Sequence, residues 1–284
     1  MSGATVVRGL VSACHPGPTL VVTTLSAALL AGAGSTAGQG LLATAAVLTG
    51  QLSIGWSNDW IDARRDAAVG RYDKPVVSGE LRVELLRSAA WVAAALCVLV
   101  SVATGPAPGL VNIATVTVAW TYNLRLKDSV WSWLPYAVSF GLLPTFLVMT
   151  LPGTPLPALW AVGCAALLGV GAHLVNVLPD LEEDAATGVR GLPHRLGRRA
   201  SGILAPGLMV AGVAVGVLGT LHEPGGMPAL GVLAIGAVAA VLAVDAGALA
   251  ITRPRSRSPF GLSLAVGGLC AVLLASSGTA LVAG

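Results

Sequence analysis

Residues 58–66 of the chain read Asn-Asp-Trp-Ile-Asp-Ala-Arg-Arg-Asp, and they follow a long run that contains no charged side chain. In an α-helix, Asn58, Asp62 and Asp66 are spaced at i, i+4 and i+8, so they share one face. Asp59 stands three residues before Asp62 and falls near the same face. The stretch therefore predicts a helix end that carries a row of oxygen ligands, here named the first ladder.

The same spacing returns 118 residues later in Asn176, Asp180 and Asp184, again directly after an apolar stretch. These three residues are named the second ladder. The match continues beyond each ladder: both have Asp-Ala-Ala, a glycine four residues after the aspartate and a proline five residues after the glycine. We interpret the motifs at 58–75 and 176–193 as an internal repeat that brings two acidic helix ends together.

The composition places the chain in a membrane. Hydrophobic residues make up 55%, charged residues 10%, and the mean hydropathy is +0.82, whereas a soluble globular protein has about 25% charged residues. The four cysteines are scattered without a Cys-x-x-Cys pair, which indicates packing residues rather than a zinc site or a disulfide framework. No nucleic-acid partner is expected.

Breaks at glycine, proline and charged residues divide the chain into nine apolar segments, each near the roughly 20 residues that a membrane-spanning helix needs. We predict an all-α, polytopic membrane protein whose nine transmembrane helices surround a central cavity, with cap loops on the cytoplasmic side. The chain 1–284 is expected to be one domain built from two pseudo-repeats. The predicted spans are 17–35, 40–58, 86–104, 109–124, 131–150, 157–178, 200–220, 229–252 and 259–282.

The basic residues predict how the chain is oriented. With a cytoplasmic N-terminus, all 16 lysines and arginines fall on the cytoplasmic side and the outer turns have none, as the positive-inside rule requires. We therefore expect a cell-membrane protein with its C-terminus outside. Both ladders then face the cytoplasm, and we expect the basic loops that follow them, 67–85 and 185–199, to close over a bound substrate.

The ligand types indicate the ion and its partner. Oxygen-only ligands suit Mg²⁺ or Ca²⁺ rather than zinc, and Mg²⁺ is usually held by one or two carboxylates together with substrate phosphates. A diphosphate that Mg²⁺ bridges to both ladders is thus the predicted ligand. The competing interpretation is a pair of solvated acidic helix ends, which the identical spacing at equivalent topological points disfavours. The candidate metal ligands are Asn58, Asp59, Asp62, Asp66, Asp180 and Asp184.

At this point the residues resemble a known family. Asn58-Asp59-x-x-Asp62-x-x-x-Asp66 resembles the first aspartate-rich motif of the UbiA superfamily of membrane-embedded prenyltransferases, and Asp180-x-x-x-Asp184-x-x-x-Gly188 resembles the second. The segment 122–127 is similar to that family's Tyr-x-x-x-Lys motif. Its spacing differs, because the cations stand three and five residues after the tyrosine.

The resemblance covers essentially the whole chain, and nine helices are also the family's number. It implies Mg²⁺-dependent ionisation of an isoprenyl diphosphate and transfer of the prenyl group to an acceptor. We expect a small acceptor and favour an aromatic one, in quinone or related lipid synthesis. Catalytic roles then fall to Asp62, Asp66, Asp180, Asp184, Tyr122 and Lys127. The substrate-binding candidates are Asn58, Arg71, Lys74, Arg125, Asn176 and Trp120.

Several alternatives stay open on the sequence. The acceptor class is undetermined and includes aromatic rings, tetrapyrroles, glycerol ether lipids and phosphosugars, and the same scaffold supports terpene cyclisation. A secondary transporter is disfavoured because transporter sites lie near the bilayer midplane, whereas these acids lie at its edge. Asp245 either serves the acceptor or pairs with Arg253, and His173 either faces the site or bonds a neighbouring helix.

Overall fold

The computed structural model describes residues 3–222 and 226–277. Within those ranges the chain consists of helices joined by turns, and no β-strand is formed. The α-helices are α1 (Gly3–Ala13), α2 (Pro16–Gly32), α3 (Ala37–Ala68), α4 (Val83–Ala103), α5 (Pro106–Leu124), α6 (Leu134–Met149), α7 (Leu159–Val177), α8 (Leu181–Ala186), α9 (Leu192–His222), α10 (Ala229–Thr252) and α11 (Ser258–Ser276).

The long helices, α2 to α7 and α9 to α11, overlap the predicted spans in order. In the described part of the chain, five of them are long and apolar enough to cross a membrane: α4, α7 with its continuation, α9, α10 and α11. A sixth is obtained if α1 and α2, which are bent by 69° at their break, form one span. The protein is therefore an all-helical integral membrane protein. The predicted end of the last span, at 282, lies outside the described residues.

The long helices form a closed ring in chain order. Each packs on the next one, and α11 returns to pack on α2 and also on α7. The main hydrophobic cluster joins helices on both sides of this ring and includes the fully buried Phe146, Leu174 and Met209. Helices suit this environment because their backbone hydrogen bonds are satisfied within each segment, where lipid offers none.

Small residues allow the helices to approach closely, as is usual in membranes. A Cβ atom at Gly109 of α5 would lie 2.6 Å from the carbonyl oxygen of Ser101 on α4. A Cβ atom at Gly247 of α10 would likewise lie 2.6 Å from the carbonyl oxygen of Gly202 on α9. Any larger side chain at either position would force the two helices apart.

The segments predicted as loops contain more helix than expected. α3 runs to Ala68, so the first ladder lies on its last turns, and the connection to α4 is limited to residues 69–82. The second segment contains α8 and the first turns of α9, which is interrupted at Gly197 (φ 77°, ψ 167°). The charged ends of these helices continue past the apolar stretches because helix formation does not depend on lipid contact.

Candidate active site

A cavity of about 300 Å³ opens at the end of the bundle where α3, α5 and α7 finish. Residues of both ladders line it, so the structure brings the two acidic motifs together. Of the predicted site residues, those in its wall are Asn58, Asp59, Asp62, Arg71, Lys74, Tyr122, Lys127, Asn176, Asp180 and Asp184.

Asp62 is a buried carboxylate held by two cations. Lys127, which is buried as well, donates a hydrogen bond to Asp62 Oδ1. Arg65, one turn further along α3, donates from Nη2 to Oδ2 over 2.6 Å. Lys127 reaches the first ladder because α5 ends before it and a short 3₁₀ turn, Leu126–Asp128, directs the chain toward α3. The acid therefore carries local countercharge before any metal or substrate binds.

Asp59 lies beside this pair and has its own partners. Its Oδ1 accepts hydrogen bonds from Lys74 Nζ at 2.6 Å and from His15 Nε2 at 2.9 Å. Its Oδ2 is buried and has no hydrogen-bond partner in the described residues. Both donors come from segments outside α3: Lys74 lies in the connection to α4, and His15 lies between α1 and α2.

The second ladder does not lie on one continuous helix. α7 ends at Val177, the 3₁₀ turn Leu178–Asp180 follows, and α8 begins at Leu181. Pro179 falls within that turn, and a proline lacks the amide N–H that a continuing α-helix would need. The two ladders have the same sequence spacing, but the first lies on one face of α3 whereas the second is divided among α7, the 3₁₀ turn and α8.

The second ladder is also paired with basic residues. Asp180 Oδ1 accepts a hydrogen bond from Arg257 Nη2 over 3.0 Å, and Arg71 Nη2 lies 3.4 Å from Asp180 Oδ2. Asp184 Oδ2 lies 3.6 Å from Nε2 of His194, whose two ring nitrogens are buried and have no hydrogen-bond partner in the described residues. Asp184 is consequently held less tightly than Asp59, Asp62 and Asp180.

The helix ends after the two ladders have the same backbone geometry. The glycines Gly70 (φ 70°) and Gly188 (φ 90°) occupy the left-handed region that terminates a helix. The amide of the next residue bonds back to the ladder aspartate in each case, at 3.0 Å to Asp66 and 2.9 Å to Asp184. Each basic loop therefore leaves its helix in the same manner.

Arg71 links the two ladders. Its guanidinium lies 3.4 Å from Asp180 Oδ2 and 3.9 Å from Oδ1 of Asp66, the last acid of the first ladder. Burial lowers the pKa of the Arg71 guanidinium, but the carboxylates of Asp180 and Asp66 outweigh this effect, and the pKa is raised above its ordinary value. The side chain is thus held charged between the two motifs.

Aromatic rings form one part of the cavity wall. Tyr122 and His173 both line it, with ring centroids 5.6 Å apart, and Tyr136 stacks on His173 at 4.4 Å. His173 is fully buried, and its Nε2 is 3.1 Å from Ser132 Oγ. Both interpretations offered for His173 therefore apply, since it lies at the cavity and is bonded to a neighbouring segment.

Two predicted substrate-binding residues do not reach the cavity. Trp120 packs on Trp91 with ring centroids 4.8 Å apart, and Trp91 is 56% exposed on the outside of the bundle. Arg125 is exposed at the end of α5. The cation of this motif that meets the first ladder is Lys127, five residues after the tyrosine.

Two acids also lie away from the cavity wall. Asp66 is buried behind it, where its nearest ion-pair contact is the one to Arg71. Asp245 is exposed on α10, and within the described residues it forms no ion pair with Arg253. Its position therefore supports neither of the roles considered for it.

The structure adds side chains that the sequence did not single out. They come from the α1–α2 junction, the start of α6, the start of α9 and the start of α11, where helix packing brings distant segments to the same cavity. In the sequence alone, Arg257 bears only on membrane orientation. The polar residues that these four segments add are Ser12, His15, Ser132, His194 and Arg257, and Asp73 of the connection between α3 and α4 also lines the cavity.

A model of the UbiA prenyltransferase family matches residues 20–264. No curated protein matches the chain.

Several solved structures share the fold. A UbiA homologue from Aeropyrum pernix K1 gives a TM-score of 0.71 at 18% identity, covering 94% of this chain and 97% of that one. A UbiA homologue from Archaeoglobus fulgidus bound to DMAPP and Mg²⁺ gives a TM-score of 0.71 at 16% identity, covering 94% of this chain and 97% of that one. Digeranylgeranylglyceryl phosphate synthase gives a TM-score of 0.66 at 17% identity, covering 97% of this chain and 99% of that one.

Proposed function

Because the chain belongs to the UbiA prenyltransferase family, we propose that it is a Mg²⁺-dependent intramembrane prenyltransferase acting on an isoprenyl diphosphate. The acceptor is a small molecule, and an aromatic ring used in quinone or related lipid synthesis is the class we favour. One observation carries the proposal: residues of both acidic ladders and the cations Arg71, Lys74 and Lys127 line a single cavity.

The cavity fits Mg²⁺ that is held jointly with substrate. Among the described residues, no three Asp, Glu, His or Cys side chains form a ready-made chelating group. Mg²⁺ usually takes only one or two carboxylates and completes its shell with water and substrate phosphates. Asp62 on one side and Asp180 and Asp184 on the other supply such carboxylates. When bound, the ion neutralises charge that develops on the leaving diphosphate.

The cations that now neutralise the acids are placed to exchange partners. Lys127 and Arg65 hold Asp62, and Arg71 holds Asp180. In the substrate complex these side chains move from the carboxylates to the diphosphate oxygens, which frees the carboxylates as ligands. The exchange keeps each buried charge paired, which matters because an isolated buried charge is costly.

The chain's own residues also support the chemical step. The C–O bond of the prenyl diphosphate breaks and its electron pair leaves with the diphosphate, where Lys127 and Arg71, once moved from their carboxylates, stabilise it. The allylic cation forms beside Tyr122, which lines the cavity and whose ring attracts a cation through its π face. The acceptor attacks this cation and then loses a proton.

The placement in the membrane follows the same proposal. Nine spans with a cytoplasmic N-terminus leave all 16 lysines and arginines on the cytoplasmic side. The cavity then faces the cytoplasm, where soluble prenyl diphosphates are available. The matching helix caps after the two ladders support the interpretation of one domain, 1–284, with two pseudo-repeats.

A product screen tests the proposal. Purified protein is incubated with Mg²⁺, prenyl diphosphates of several lengths and a panel of aromatic, lipid and phosphosugar acceptors. Pyrophosphate release and mass spectrometry provide the readouts. We expect Mg²⁺-dependent release and a prenylated acceptor. A cyclised product in the arm without acceptor would instead assign terpene cyclisation, whereas a linear prenyl alcohol there would show only that water captured the cation. No pyrophosphate release in any arm would refute both activities.

A further inference from the structure

The N-terminal helix α1 is packed against the cavity end of α3. The indole Nε1 of Trp56 donates to the carbonyl oxygen of Leu10 over 2.9 Å. Gly55 lies so close to the α1–α2 junction that a Cβ atom there would be 2.7 Å from the carbonyl oxygen of Cys14. These contacts fix the junction beside the first ladder and make His15, which follows Cys14, part of the cavity wall.

His15 has an unfavourable backbone conformation. Its φ of 54° and ψ of 68° place it in the left-handed region, which non-glycine residues rarely adopt. It precedes α2, but its side chain makes no capping bond to that helix. The ring instead contacts Asp59, so the strained backbone serves to aim the imidazole at the cavity.

Asp59 has an uneven set of partners. Lys74 Nζ and His15 Nε2 share Oδ1, they lie 3.5 Å from each other, and Oδ2 has no hydrogen-bond partner in the described residues. An ionised carboxylate only accepts hydrogen bonds, so Nε2 of His15 carries the proton in this contact. If Lys74 left, His15 would be the one described donor that still holds the buried carboxylate.

We propose that His15 is a positioning residue that retains Asp59 while Lys74 moves to the diphosphate of the substrate. The inference rests on the proposed function, because it requires a diphosphate in the cavity. Without the imidazole, the departure of Lys74 would leave the buried Asp59 carboxylate with no described hydrogen-bond donor. Lys74 would then stay on Asp59 and contribute less to substrate binding. The junction of α1 and α2 is thereby part of the diphosphate site.

The test variant is His15→Asn. Asparagine tolerates the left-handed conformation, so the backbone is kept, but its side chain is too short to reach Asp59 in place of the imidazole. Binding of geranyl S-thiolodiphosphate with Mg²⁺ is measured by calorimetry. We expect affinity to fall about ten- to a hundredfold, the loss typical of one hydrogen bond to a charged group. With a geranyl diphosphate substrate, KM should rise while kcat changes little.

A second experiment, in which His15→Asn is combined with Asp59→Asn, distinguishes this role from a general loss of structure. In Asp59→Asn the side chain at position 59 is neutral. It therefore no longer needs the hydrogen bond from His15 when Lys74 moves to the diphosphate. Adding His15→Asn to that variant should therefore weaken binding by less than about threefold, because coupled residues are not additive. His222→Asn, the same exchange at an exposed histidine near the end of α9, is the matched control and should bind the analogue normally.

The outcomes separate the two proposals. If wild-type protein binds the analogue and His15→Asn binds it equally well, the role of His15 is refuted while the proposed function stands. An equal loss in the Asp59→Asn background also refutes it, since His15 would then act independently of that carboxylate. If wild-type protein binds no prenyl diphosphate analogue, the proposed function and this inference both fail.

Discussion

Arg71 lies 3.4 Å from Asp180, although the two residues belong to motifs more than a hundred positions apart in the chain. The contact joins the loop after the first ladder to the bent segment of the second. A cation of this cavity is thus already engaged with one of the carboxylates that the proposed function assigns to Mg²⁺. The experimental consequences depend on which acid is paired with which cation.

Lys127→Met should reduce pyrophosphate release by at least about a hundredfold, since it removes the buried donor that the proposed mechanism assigns to the leaving group. Arg125→Met is the matched control, because Arg125 belongs to the same short motif but is exposed outside the cavity. Turnover of both variants is measured at saturating Mg²⁺. Comparable losses in both would show that the wrong cation has been assigned.

Asp62→Ala and Asp184→Ala should both lose turnover but should differ in stability. Removing Asp62 leaves the buried charge of Lys127 without its carboxylate partner, which typically lowers the free energy of unfolding by about 3 kcal/mol or more. Within the described residues, the one ion-pair contact of Asp184 is the longer one to His194, at 3.6 Å, so its loss should change stability by less than about 1 kcal/mol. Thermal unfolding in detergent without Mg²⁺ checks this order, and equal stability of the two variants would contradict it.

Mg²⁺ and diphosphate should bind together rather than separately. The described residues contain no preformed group of three chelating side chains, so Mg²⁺ alone should leave the melting temperature almost unchanged. Mg²⁺ with geranyl S-thiolodiphosphate should raise it by several degrees, since ligand that binds the folded state stabilises it. A shift of the same size with Mg²⁺ alone would argue for a preformed metal site.

The segments 67–85 and 185–199 should become resistant to proteinase K when Mg²⁺ and the same analogue are bound. Both segments contain basic residues, and parts of both, such as Pro75 and His194, already line the cavity. Closure there would exclude water that otherwise captures the allylic cation. The turn at 151–158, which lies at the opposite end of α6 and α7, is the internal control and should be cut at an unchanged rate. Equal cleavage of all three segments with and without the analogue would contradict closure.

The sequence alone determined the features that depend on local chemistry. Apolar stretches placed the long helices because lipid leaves the backbone no other partners. The repeated Asp-Ala-Ala-x-Gly placed two equivalent helix ends, since glycine at Gly70 and Gly188 adopts the left-handed conformation that stops a helix. The paired acids indicated a shared site, and residues of both ladders line one cavity.

Only the tertiary structure decided which side chains meet. The choice of Lys127 over Arg125 depends on a 3₁₀ turn after α5, and the contact of His15 with Asp59 depends on how α1 packs against α3. Such contacts join residues far apart in the chain, and they are set by the geometry of helix packing. A single sequence records hydrophobicity, spacing and local turns, but it carries no direct signal of those long-range approaches.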